Sequence, residues 1–300
     1  MKFFGYLRVK NEARWIERVI RSIQPLCERI FVFDDHSDDA TGEICESLGC
    51  RVFPSPFKKG EWHGNALQLG VNIIGRVNED SRGWYIEDMR SRRDVWTCRF
   101  KTRDEAVVIA DDILHVNETR DKNYLLQHVW QEAAPAECGK NSDHWIIAID
   151  GDEELEANGP ALIKQAIKPE IHALTLRIVY LWDRDDQIRT DGIYGKFTRG
   201  SVFQMVSPLH SFRSTDGRTN FHCGSVPNEL LGRVAKCPAR LLHYGYRDRA
   251  DRVRKFGWYN ALDAGNRAED LYRHMVQGDV PEIPASEKLM HAGPLELVSL

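Results

Sequence analysis

The sequence predicts an α/β fold in which a mostly parallel sheet is flanked by helices, and three observations carry that expectation. Short apolar runs at residues 3–9, 30–33 and 146–149 each end in polar or acidic residues. A stretch with helical spacing follows the first run, and a helix start with cap and acidic first turn follows the second. Strand, helix, strand, helix, strand is the order of parallel βαβ units, whose crossovers are right-handed.

In chain order, residues 3–9 form the first strand, and Asn11 is placed to cap a helix whose Ile16, Val19, Ile20 and Ile23 follow i, i+3, i+4, i+7 spacing. Pro25 ends that helix. The second strand, 30–33, runs into Asp34-Asp35-His36-Ser37-Asp38-Asp39-Ala40-Thr41, where Ser37 or Asp38 suits a helix cap and the acids suit its first turn. Residues 50–53 give a third strand. Within 57–115, residues 66–74 read as a helix, 83–89 and 94–100 as short strands, and 107–114 as another apolar stretch. Asn117 to Asn123 open a helix with Leu125, Leu126, Val129, Trp130 and Ala133 on its apolar face. Ile146 to Ile149 are too few for a helix core and too continuous for a half-exposed strand, so they predict a strand buried on both faces. Pro160 starts a further helix, 173–182 is a strand, and Asp183, Asp185 and Asp186 follow as a solvated turn. Leu241-Leu242-His243-Tyr244-Gly245-Tyr246-Arg247 leads into a long helix carrying Arg252, Arg254, Lys255, Trp258 and Tyr259.

Composition narrows the functions available. With 300 residues, 42% hydrophobic and 29% charged, the chain has the make-up of a soluble globular protein with a sizeable core. A net charge of -4 argues against a generally basic nucleic-acid binder. No apolar span is long enough to cross a bilayer, and the apolar run at the N-terminus is short for a signal peptide. Seven cysteines without CxxC or zinc spacing suit reduced thiols, and the cytoplasm is the expected location.

Chemistry concentrates at Asp150-Gly151-Asp152-Glu153, where a buried strand emerges. Two aspartates around a glycine can hold a hard divalent cation, and an acidic turn capping the next helix has the same composition. Position separates the two. Val9-Lys10-Asn11-Glu12, then Asp34 to Thr41, then Ile149-Asp150-Gly151-Asp152-Glu153, each at a strand end, resemble the ordered motifs of family 2 glycosyltransferases with the GT-A fold. The resemblance covers the first fifty-odd residues and roughly 116–156, and the C-terminal half only in patches.

The resemblance implies a GT-A, Rossmann-like nucleotide-diphospho-sugar transferase domain over 1–240, in which 57–115 is an atypical, β-rich insert, and a C-terminal helical extension over 241–300 closing the active site. It implies an inverting, metal-dependent enzyme using Mn²⁺ or Mg²⁺ and a nucleotide-sugar donor, UDP-sugars being commonest. Asn11, Glu12 and Asp35 would line the nucleotide pocket, though Asn11 and Glu12 equally suit helix capping. Arg120 and Asn123 would lie beside the donor. Asp152, with Asp150 and His243, would hold the metal, Asp150 also contacting ribose or sugar, and Arg247 and Lys255 would face the diphosphate. An inverting reaction needs a carboxylate base on the acceptor side, for which Asp191 and Glu229 are candidates.

A saccharide or glycan precursor is the first expected acceptor. Arg90, Arg92, Arg93, Arg99, Lys101 and Arg103, interleaved with Trp96 and Phe100, suit either a solvated basic face or a phosphate-bearing acceptor, including a modified base in DNA. A non-catalytic sugar-nucleotide or nucleic-acid binding module remains an alternative. Nucleotidyl transfer is disfavoured because Val9-Lys10-Asn11-Glu12 offers no Gly-rich triphosphate loop.

Overall fold

The run at residues 3–9 becomes the strand Lys2–Val9 (β1) in the computed structural model, which describes residues 1–89, 99–139, 142–214, 223–262 and 272–300. Helix Ile16–Ile23 (α1) buries Ile16, Val19, Ile20 and Ile23, the residues its spacing singled out. Its cap position is Trp15, not Asn11. Asn11 instead has φ 56°, in the left-handed region that Asn tolerates, and its side-chain oxygen accepts from the Asp38 N–H at 2.9 Å. After Arg29–Asp34 (β2), helix Thr41–Ser47 (α2) starts at Ala40 rather than at Ser37 or Asp38. Ser37 Oγ accepts from the Asn11 N–H at 3.0 Å, and Asp39 accepts from Ala13 N–H at 3.1 Å and Thr41 N–H at 3.0 Å. The polar residues after β1 and β2 thus bind one loop to the other. Arg51–Pro54 (β3) completes this part.

Glu61–His63 (β4), Ala66–Leu69 (β5), Asn72–Asp80 (β6) and Gly83–Asp88 (β7) form a four-stranded antiparallel sheet in that order. Residues 66–74 therefore do not make the expected helix: Gly70, at φ 63°, lets the chain reverse between β5 and β6. The apolar run at 107–114 lies in helix Arg103–His115 (α3), whose Leu114 packs so closely that a Cβ on Gly75 would meet it at 2.3 Å. Arg90, Arg92, Arg93 and Trp96, with most of the strand expected at 94–100, lie outside the described residues. Arg99 binds Asp80 at 2.6 Å beneath the Tyr85 ring, and Arg103 binds Asn65 at 2.7 Å.

Helix Glu118–Ala133 (α4) is capped by the Asn117 side chain, which accepts from the Arg120 N–H at 3.0 Å. His144–Ala148 (β8) is buried at every position, as a strand covered on both faces requires. The chain continues through Glu153–Leu155 (β9), Gly159–Ala166 (α5), Ala173–Trp182 (β10), Arg184–Arg189 (β11), Thr198–Gln204 (β12), Val234–His243 (β13), Arg249–Leu262 (α6) and Leu297–Ser299 (β14). Asp183, at φ 63°, is a turn residue, but Asp185 and Asp186 are in β11 and ion-paired, to Arg247 and Arg184, each at 2.5 Å. All three are exposed, as expected, but the turn is shorter than expected because β10 reverses directly into β11. No helix among the described residues is long and apolar enough to cross a membrane.

The large sheet has the order β14-β11-β10-β12-β8-β1-β2-β3, with β13 on the other edge of β10 and β9 beside β13. Strands β8, β1, β2 and β3 are mutually parallel, as are β10 and β13. Strand β12 runs antiparallel between β8 and β10. Contacts divide the chain into two units: Met1–Ser55, Asn117–Asp248 and Ala292–Leu300 carry the large sheet, and Pro56–Val116 with Arg249–His291 form the other. The boundary expected after residue 240 falls inside β13, which is continuous to His243, and the C-terminal segment returns to the large sheet through β14.

Beyond β11, Asp191 forks onto Arg189 at 2.7 and 2.9 Å, and both residues are buried. The Arg189 guanidinium lies 4.1 Å from the Tyr194 ring centre, and Asp191 also accepts from the Glu296 N–H at 3.2 Å. The pair therefore fastens the returning C-terminal segment to the sheet. Removing one partner leaves a buried uncompensated charge, so Asp191→Ala should lower unfolding free energy by about 3–5 kcal/mol in urea denaturation, and Asp191→Asn by less.

Candidate functional site

Three parallel strand ends, those of β1, β2 and β8, bring the polar segments 10–12, 35–39 and 150–153 to one edge of the sheet, where open α/β sheets bind ligands. The Asp35 N–H reaches the Val9 carbonyl at 2.9 Å. Arg8, on β1, binds Asp35 at 2.5 Å and Asp121 at 3.0 Å, and Arg120 binds the other Asp121 oxygen at 2.8 Å. Acid and base therefore alternate from β2 through β1 to α4. Burial pushes the Asp121 carboxyl above its ordinary range, although Arg8 pulls it down. Glu12 donates its N–H to Thr41 Oγ1 at 2.7 Å and lies against Gly151, where an added Cβ would sit 2.8 Å from Glu12 Cγ. A glycine is needed there because Glu12 occupies the space.

The acidic turn is organised by a residue that the sequence reading missed. Pairs Val202–Ile147, Phe203–Ile146 and Gln204–Trp145 join β12 to β8, and extending this antiparallel register sets Arg199 across from Asp150. Arg199 Nη1 donates to Asp150 at 2.6 Å, and Nη2 donates to Glu153. The Asp150 N–H in turn reaches the Glu153 carboxylate at 3.1 Å. Burial, with Asp150 and Asp152 adding, pushes Glu153 up to about 7 against the pull of Arg199. Burial also pushes Asp150 up, but Arg199 and Lys122 prevail and hold it below the ordinary carboxylate range. Nothing in Thr198-Arg199-Gly200-Ser201 marks this arginine, since its meaning lies in a non-local strand pairing.

Asp152 is nearly buried, and its Oδ2 is 3.9 Å from His243 Nε2. Cross-strand pairing of β13 with β9 sets His243 opposite Glu153, and the Tyr244 N–H donates to the Asp152 carbonyl at 2.9 Å. A carboxylate and an imidazole at this separation fit Mn²⁺ or Mg²⁺ as two protein ligands, with ligand oxygens and water completing the shell. Asp150, expected as a third, is engaged by Arg199, and no group of three or more acidic, His or Cys ligands converges among the described residues.

The remaining candidates have the following places. The Asn123 amide donates to the Phe212 carbonyl at 3.0 Å and accepts from the Phe212 N–H at 2.9 Å, so it fixes that segment. Its neighbour Lys122, absent from the expected set, is nearly buried and reaches the Cys223 carbonyl at 3.1 Å. Arg247 binds Asp185 at 2.5 Å, and Lys255 lies on α6 in the other unit. Asp191 is held by Arg189. Glu229 is exposed and accepts from the Ser211 N–H at 3.3 Å and Arg213 at 3.0 Å. Slight burial raises Glu229, but these hydrogen bonds and Arg213 bring it below its ordinary value.

No family model matches the chain. A stretch of 56 residues is 39% identical to an uncharacterized glycosyltransferase of Rickettsia bellii (strain RML369-C), spanning 19% of this chain and 19% of that protein. Among solved structures, glucosyl-3-phosphoglycerate synthase from Mycobacterium tuberculosis with Mn²⁺, UDP and glucosyl-3-phosphoglycerate overlaps 60% of this chain and 44% of its own, at 17% identity and TM-score 0.27. The same enzyme with UDP gives 16% identity and TM-score 0.28 over 60% and 44%. Overlaps that loose transfer no residue role.

Glu153 gives the site a pH signature. With the folded carboxyl raised from 4.5 to about 7, the folded state holds the proton longer, so this group's stabilising contribution is complete below about pH 4.5 and is lost as pH rises through 7. Glu153→Gln should remove that loss: its melting temperature relative to wild type should climb between pH 4.5 and 7 and level off above 8. A constant difference across the range would show that Glu153 does not titrate there.

Proposed function

We propose that the chain is a metal-dependent glycosyltransferase of the GT-A type, moving a sugar from a nucleoside-diphosphate donor, most simply a UDP-sugar, to a saccharide hydroxyl with inversion. The observation that carries this reading is the pairing of Asp152 with His243 at the end of β8, beside the strand ends that bear Asn11, Glu12 and Asp35. The short match to a protein described as a glycosyltransferase supports it.

In this reading Asp152 and His243 hold the divalent cation, which when bound supplies Lewis-acid stabilisation of the departing diphosphate. Asp35, held by Arg8, offers carboxylate lone pairs to a ribose hydroxyl or base N–H. Asp150, kept ionised by Arg199, faces the sugar rather than the metal. Lys122 and Asn123, from the first turns of α4, hold the segments at 223–224 and 212 that border the acceptor side. Among the two acceptor-side carboxylates, Glu229 is assigned the proton of the attacking hydroxyl. It is exposed and ionised while accepting from Ser211 and Arg213, whereas Asp191 is buried against Arg189. Of the basic stretch, the described Arg99 is bound to Asp80 and Arg103 to Asn65.

A thermal-shift panel of UDP-glucose, UDP-galactose, UDP-N-acetylglucosamine and GDP-mannose with Mn²⁺ tests the reading. One donor at 100-fold over its Kd should stabilise by about 2.7 kcal/mol, raising Tm by a few degrees, and EDTA should abolish the rise. Asp152→Asn and His243→Ala should each remove the metal-dependent part and cut donor hydrolysis at least about a hundredfold. Full turnover in Asp152→Asn would refute the metal assignment, and Glu229→Gln with unchanged transfer would refute the base.

A further inference from the structure

We infer that Tyr244 is a positioning residue for the pair Asp152 and His243, and that Trp15, Arg18 and Glu154 hold it in place for that task. This rests on the nucleotide-sugar reading above, and its supports come from outside the acidic turn, from the start of α1 and the end of β13.

The pair needs such a support. Asp152 precedes β9 and His243 ends β13, so the 3.9 Å between Oδ2 and Nε2 is set only by how those two segments are held together. Metal–ligand distances tolerate changes of only about 0.2 Å, so a small slip of one segment past the other would spoil the pair.

Tyr244 joins the segments at two points. Its N–H donates to the Asp152 carbonyl at 2.9 Å, and its hydroxyl donates to the Glu154 carboxylate at 2.7 Å. The residue after one ligand thus grips the other ligand's own carbonyl and the acid two positions on. Burial first, and then Glu154, push the Tyr244 phenol above its ordinary value, so the hydroxyl keeps its proton and acts as the donor. A tyrosine that only filled space would need one partner for its hydroxyl; here main chain and side chain both hold the segment that carries Asp152.

Packing from α1 is an independent observation. The Trp15 ring lies 4.8 Å from the Tyr244 ring at 30°. The Arg18 guanidinium lies 4.8 Å from the same ring and binds Glu154 at 3.0 Å. Tyr244 is 2% exposed and belongs to a small core with Val179, Leu181 and Ile188, against which Trp15 and Leu242 pack. Leu242 and Tyr244 therefore enter this core from either side of His243. Because side chains alternate across a strand, His243 is presented to the opposite face, where its ring meets Tyr180 at 5.0 Å.

Calorimetric titration with UDP and with GDP, in Mn²⁺ and again in EDTA, separates positioning from support of the fold. Tyr244→Phe keeps the ring and removes only the hydroxyl, with folding checked by circular dichroism. It should cut the Mn²⁺-dependent gain in nucleotide affinity about tenfold and leave binding in EDTA within about threefold of wild type. Glu154→Ala should have the same effect, and the double variant Glu154→Ala/Tyr244→Phe should be no weaker than either single one, because both remove one link. The assignment is overturned if either single variant keeps the full gain, including the case in which binding weakens equally with and without Mn²⁺, or if the two losses multiply in the double variant. Wild-type protein with no Mn²⁺-dependent gain for either nucleotide would instead overturn the nucleotide-sugar reading, and the positioning role with it.

Discussion

Three carboxylates, those of Asp150, Asp152 and Glu153, crowd the end of β8, and their mutual repulsion is the constraint the rest of this edge is built to satisfy. Arg199 satisfies most of it by spanning Asp150 and Glu153 from the neighbouring antiparallel strand. Buried like charges are tolerated only when paired and hydrogen-bonded, and a guanidinium can serve two carboxylates at once. With Asp150 and Glu153 so engaged, Asp152 is the acid left facing His243. Arg199 therefore sorts the acidic turn into a part that it binds and a part that faces His243.

The same device recurs one strand away. Arg8 sits between Asp35 and Asp121, and Arg120 closes the series on α4. Because Asp121 is wholly buried, this chain of charges fixes α4 against the ends of β1 and β2, and loss of one partner would leave a buried charge uncompensated. The loops after β1 and β2 are in turn bound together through Asn11, Ser37, Asp38 and Asp39. Residues that look like independent helix caps in the sequence are one interlocked surface, which explains why neither helix uses them as its cap.

Mixed pairing in the large sheet makes both arrangements possible. A wholly parallel sheet would present only strand ends at this edge, whereas β12 arrives antiparallel and delivers a side chain from its beginning, Arg199, to the end of β8. Strand β13, parallel to β10 and antiparallel to β9, likewise carries His243 to the acidic turn from ninety residues further along the chain.

The amino-acid sequence by itself determined the strands and helices whose patterns are local. Ile16, Val19, Ile20 and Ile23 at helical spacing gave α1, continuous apolar runs gave β1, β2 and β8, and Asn117 marked the start of α4. It also set Asp35, Asp150 and Asp152 at strand ends. It failed where a single residue redirected the chain, as Gly70 turned an apparent helix into a hairpin and Asp183 led into β11. Only the tertiary structure decided that Asn11 and Ser37 join two loops, that Asp191 and Asn123 serve neighbouring segments, and that Arg199 belongs with Asp150. The reason is physical: helical and strand periodicity are written within a few residues, whereas the partner of a charge is fixed by strand register between segments some fifty residues apart.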